Sequence, residues 1–108
     1  MQNIQPIEKL ILAPPPTVRT KPSLATYDNS YIFVIGGSII VETSDQDSMD
    51  MYTIHNDTWS SAPALNMARS EHSSCIAGHT LCVFGGESRR GHRLKCIEII
   101  DVRAVVRG

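Results

Sequence analysis

Tyr31-Ile32-Phe33-Val34-Ile35-Gly36-Gly37 occurs again, in altered form, as Thr80-Leu81-Cys82-Val83-Phe84-Gly85-Gly86. The first glycines of the two pairs, Gly36 and Gly85, are 49 residues apart. Each copy is a short run of β-branched, aromatic and other apolar residues that stops at glycine, the pattern of a buried strand. Paired glycines permit positive φ and let a second backbone come close, so each pair reads as a corner and not as a continuation of the strand. Self-similarity at a spacing of about 50 residues is the mark of a repeat architecture, in which each unit is one supersecondary element.

Working outward from the glycines, more positions match. Arg69 aligns with Arg19 and Ser73 with Ser23, while His72 faces Pro22. After each glycine pair comes a polar loop, then a second apolar strand, Met49–Thr53 in the first copy and Ile97–Asp101 in the second. Asn56-Asp57 supplies turn chemistry between Tyr52 and Trp59, so those two residues lie on the strands of a hairpin. No stretch sustains a 3.6-residue period, which predicts almost no helix.

The order of arginine, histidine-serine, apolar strand, Gly-Gly, loop, tyrosine strand, turn and tryptophan strand resembles the kelch repeat. The resemblance covers nearly the whole chain. It rests on Gly36, Gly37, Tyr52, Trp59, Arg69, His72, Gly85 and Gly86. It implies an all-β fold built from four-stranded antiparallel blades of a kelch-type β-propeller, about two of them, forming an incomplete propeller. Residues 1–20 then hold the end strand of a preceding blade, around Ile7 to Leu12, and a proline linker. Residues 21–64 form a complete repeat, and residues 65–108 a second whose last strand is missing or degenerate. Ile100 stands where the second copy should have a tyrosine, and Arg107 where it should have a tryptophan. The family also implies that Tyr52 and Trp59 pack against the glycine corner, and that His72 sits beside the link between blades.

Repeat architectures of this kind need about three or more units before a continuous core exists, and propellers close with typically 4–8 blades. Three arrangements satisfy that requirement or evade it. The chain is a piece of a longer propeller, it closes a ring with other copies or another chain, or it is an open two-blade module. Pro14-Pro15-Pro16 reads as the link between blades in preference to a polyproline ligand.

Ten Lys and Arg against eleven Asp and Glu leave no electrostatic case for nucleic acid. The longest apolar run, Tyr31 to Val41, is broken by Gly36-Gly37-Ser38 and is too short to span a membrane. Three cysteines, Cys75, Cys82 and Cys96, fall on apolar strands. That predicts buried thiols in a reducing compartment and a cytoplasmic protein. No basic start with an apolar core marks a secretion signal.

His72, Cys75, His79 and Cys82 are zinc-compatible in type, but strand alternation separates them, so no metal is expected. Ser70-Glu71-His72-Ser73 lacks a nucleophile elbow. The glycine pairs do not continue as a dinucleotide fingerprint. No catalytic residue and no cofactor is therefore expected. The loops after the glycines carry the functional expectation. The first holds Glu42, Asp45 and Asp47, and the second Arg89, Arg90, His92, Arg93 and Lys95. By the repeat they open on one propeller face, where a rigid scaffold presents variable residues. The expected function is a non-catalytic protein-interaction module binding an acidic or phosphorylated peptide, as a substrate adaptor or a cytoskeletal scaffold. The alternative is a fragment of a kelch-type propeller enzyme, of the sugar oxidase or mutarotase class.

Overall fold

The computed structural model describes residues 11–39, 44–88 and 91–107. Its main elements there are two antiparallel sheets, so the fold is all-β with blade-like units. The first sheet has the order β1 (Ser23–Tyr27), β2 (Tyr31–Ile35), β5 (Met49–Thr53) and β6 (Thr58–Ala62). Between β2 and β5 lies a small hairpin, β3 (Ser38–Ile39) with β4 (Ser44–Asp45). The second sheet is β7 (Ser73–Ala77), β8 (Thr80–Phe84) and β9 (Ile97–Asp101).

Local chemistry sets these turns. Asp28 and Asn29 both take positive φ, 54° and 51°, the two-residue turn whose twist suits a hairpin. Gly78 (φ 61°) lies in the turn between β7 and β8. The β5–β6 connection is a 3₁₀ turn over Ile54–Asn56 that ends at Asp57 in the left-handed region.

The core lies between the sheets. Phe33, Ile35, Met49, Met51 and Ala25 share one face of the first sheet, because Ala25, Phe33 and Met51 are in register across three strands and Ile35 opposes Met49. They form one cluster with Leu65, Leu81, Val83 and Val102 of the second unit. Each large side chain so buried stabilises by about 1.5–3 kcal/mol. The strands β1 and β7 face each other across this joint.

Among the described residues the chain after β9 adds no fourth strand to the second sheet. The sequence predicts almost no helix and a missing or degenerate last strand; among the described residues that place is taken by a short helix, α1 (Val102–Val106). The β-branched valines favour strand, but two features override them. Asp101 caps the helix, its side chain accepting from the Arg103 amide at 3.0 Å. Val102, Val105 and Val106 line one helical face, with Val102 fully buried and the other two packed against the core. The Val102 amide donates to the His79 carbonyl at 2.8 Å, which holds the helix to the β7–β8 turn.

The cysteines also depart from expectation. Cys75 and Cys96 are exposed and Cys82 is half-buried. Strand alternation explains Cys75 and Cys82, which oppose each other on the face of the second sheet turned away from the core. Cys96 precedes β9 and is not part of it. No helix among the described residues is long and apolar enough to cross a membrane.

Candidate functional site

The two units share a buried arginine that ties each glycine corner to the strand beyond the loop. The Arg19 side chain is 2% exposed. It donates to the Gly36 carbonyl (2.8 Å), the Ser48 carbonyl and hydroxyl (both 3.0 Å) and the Asp50 carboxylate (3.0 Å). Arg69, fully buried, donates to the Gly85 carbonyl (3.0 Å), the Cys96 carbonyl (3.3 Å), the Cys96 sulfur (3.1 Å) and the Glu98 carboxylate (2.7 Å). The two arrangements correspond atom for atom, with serine exchanged for cysteine and aspartate for glutamate. Charge-assisted bonds of this kind are the stronger class of hydrogen bond.

The acidic partners Asp50 and Glu98 carry no motif that singles them out. The available signal was an acid one residue into each second strand, at positions 48 apart. Glu98 also accepts from the Asn66 and Met67 amides, at 2.6 and 3.1 Å, whereas Asp50 faces the arginine alone among the described residues.

The glycines are required by close approach. A Cβ on Gly37 would sit 2.7 Å from the Thr20 carbonyl oxygen, and one on Gly86 2.6 Å from that of Ser70. These contacts are equivalent, because Thr20 and Ser38 exchange backbone hydrogen bonds as Ser70 and Glu87 do. Gly36 is enclosed by the second unit, where a Cβ would meet the Arg69 carbonyl at 2.7 Å and His72 Cε1 at 2.9 Å. His72 thus lies against the glycine corner of the first unit. Gly85 is less enclosed: among the described residues the nearest atom to a Cβ there is the Leu94 carbonyl oxygen, at 3.4 Å.

Tyr52 and Trp59 are not at the glycine corner. Met49, in register with Ile35, occupies that end of the sheet, and Tyr52 pairs with Ile32 near the opposite end. The Tyr52 and Trp59 rings are 5.0 Å apart and form a separate clasp with Ala13. Trp59 Nε1 donates to the Ala13 carbonyl (2.9 Å), the Ala13 amide donates to Asp57 (2.9 Å), and the Tyr52 hydroxyl donates to the same Asp57 oxygen. The Tyr52 bond holds the Asp57 carboxyl below its ordinary value and raises the phenol. Of the segment expected to carry a preceding strand, Ile11 and Leu12 are exposed and outside any strand, and Ile7 to Leu10 lie outside the described residues.

The two loops are closed alike. Ser38 pairs with Asp45 in the first and Glu87 with Arg93 in the second. Asp47 is exposed, and its carbonyl accepts from the Leu65 amide at 2.6 Å. His92, Arg93 and Lys95 are all exposed. Glu42, Arg89 and Arg90 lie outside the described residues. Arg93 joins Glu71, Gly86, Glu87 and Leu94 around an open pocket of about 300 Å³.

The zinc-compatible side chains do not converge as a set, although Cys75 and Cys82 oppose each other. His72 is buried against Gly36, the His79 ring bonds the Tyr27 hydroxyl at 2.6 Å, and the described residues hold no cluster of three or more metal-ligating side chains. Glu71 turns with φ 54° and pairs with Lys21 at 3.4 Å, an exposed contact worth little by itself. No protein-family model matches the chain, and no curated protein matches it.

Proposed function

We propose that the chain is a non-catalytic protein-interaction module of the kelch-repeat type, used as an adaptor or scaffold piece in the cytoplasm. Its partner on this reading is an acidic or phosphorylated peptide, held by the loop that carries Arg89, Arg90, His92, Arg93 and Lys95. The observation that carries it is the repeated frame: a buried arginine under each glycine corner and the same backbone closure at the neck of each loop. A rigid frame with variable, charged loops is how a scaffold collects binding residues. Arginine suits carboxylate and phosphate because its planar fork donates in pairs.

The test is direct. The double variant Arg93→Glu/Lys95→Glu reverses two exposed charges without touching the core. Its melting temperature should stay close to that of the parent. Binding to an array of acidic and phosphoserine peptides, read at low and high salt, should fall sharply. Equal binding by parent and variant would refute the basic-loop reading.

A further inference from the structure

We propose that the open side of the second sheet is a docking site for the first sheet of a second copy of this chain, joined head to tail as the two units are joined within one chain. The internal joint supplies the template. There the Gly37 amide donates to the Arg69 carbonyl (2.9 Å), the Arg69 amide to the Gln46 carbonyl (3.2 Å), the Leu65 amide to the Asp47 carbonyl (2.6 Å) and the Glu71 amide to the Lys21 carbonyl (3.3 Å). The groups on the first unit have counterparts 48 to 50 residues later: the Gly86 amide and the carbonyls of Leu94, Lys95 and Glu71. Among the described residues, none of these four has a backbone partner. The pocket lined by Glu71, Gly86, Glu87, Arg93 and Leu94 opens at that place.

The apolar face repeats the same relation. Ile35, Met49 and Met51 are buried in the internal joint, while their counterparts Phe84, Ile97 and Ile99 are 38%, 58% and 69% exposed. The complementary surface is on the same chain. Leu81 and Val83, which the internal joint buries, correspond to Ile32 and Val34, which are only half-buried. Next to them Leu24 is 60% exposed. The Arg19 amide and carbonyl, counterparts of the Arg69 groups that fill the internal joint, have no partner among the described residues.

Charge is compatible with a second copy. Lys21 and Glu71 occupy equivalent positions and pair across the internal joint. In a head-to-tail contact the second copy's Lys21 meets Glu71, so opposite charges face each other again. Pro15 stands where Leu65 supplies an amide, so the contact between copies has one hydrogen bond fewer than the internal joint. A heterologous contact of this kind forms a ring if the rotation closes and a filament if it does not.

Sedimentation of the full chain over a wide concentration range tests the proposal. The mass should rise from 11.9 kDa towards multiples of it. Gly85→Asn is the diagnostic variant, because asparagine tolerates positive φ and a Cβ there makes only van der Waals contact, at 3.4 Å, with the described residues of its own chain. In the docked state its Cβ would stand where one on Gly36 would, 2.7 Å from an arginine carbonyl. The variant should remain at 11.9 kDa throughout and keep its cooperative unfolding. Lys21→Glu, on an exposed side chain, should weaken association by roughly two- to fivefold, as an exposed pair allows. Lys21→Glu/Glu71→Lys should restore it. A wild-type chain that stays monomeric would assign this face to a different chain and overturn the proposal. So would association left unchanged by both Gly85→Asn and Lys21→Glu.

Discussion

Replacing Arg19 by methionine tests whether the buried arginine holds a unit together. Methionine keeps most of the length and apolar stem but removes the donors that serve Gly36, Ser48 and Asp50. Asp50 is buried, and among the described residues Arg19 is its partner, so the variant leaves a carboxylate with nothing to offset its desolvation. Breaking a buried ion pair from one side costs about 3–5 kcal/mol. A domain's whole stability is about 5–15 kcal/mol, so the variant should be close to unfolding. Urea unfolding followed by the fluorescence of Trp59, the single tryptophan, reports on the same sheet. The midpoint should fall by the ratio of the lost free energy to the slope, with the slope unchanged. Removing both charges, in Arg19→Met/Asp50→Leu, should recover most of the loss, because a buried pair and a matched apolar pair are often of similar stability. The second unit should behave differently. Arg69→Met/Glu98→Leu should not recover, because Glu98 also receives the Asn66 and Met67 amides. A cost below about 1 kcal/mol for Arg19→Met, the scale of an exposed pair, would refute the reasoning. A double variant no better than the single one would do the same.

Three further outcomes are expected. Gly86→Ala should prevent the second unit from folding, since its Cβ would lie 2.6 Å from the Ser70 carbonyl, whereas Gly85→Ala should cost only the strain of positive φ, about 1–3 kcal/mol; equal melting temperatures would contradict this. Trp59→Phe should release the segment around Ala13 and expose it to limited proteolysis while the sheets persist, and an unchanged cleavage pattern would remove the clasp from the account. The Arg103 side chain and amide hold the Asp101 carboxyl at about 2, below the ordinary carboxylate value, so its support for α1 is complete above about pH 4 and is lost as pH falls through about 2. The Arg103 amide chemical shift should follow that titration in the parent and not in Asp101→Asn.

Much of the frame was legible because it is written in local pattern. Met49–Thr53 and Ile97–Asp101 stand in the structure as the sequence reading bounds them, and both glycine pairs end strands. What stayed hidden depends on contacts distant in sequence. Asp50 and Glu98 look like ordinary strand polars until the arginines 31 and 29 residues earlier are seen against them. The displacement of Tyr52 and Trp59 from the glycine corner follows from register, which composition does not report. The valines after Asp101 invite a strand, and only the cap and the buried Val102 turn them into helix. The exposure of Cys75 follows from which face of the second sheet meets the first, a fact of the joint and not of the strand.

The central claim is that the arginine link of one unit closes the glycine corner of the unit before it. Amide hydrogen exchange at Gly37 and Gly86, measured in one dilute sample, tests it most directly. The Gly37 amide, bonded to the Arg69 carbonyl at 2.9 Å, should be protected as strongly as β2, and the Gly86 amide should exchange rapidly. Rapid exchange at Gly37 while β2 stays protected would contradict the account.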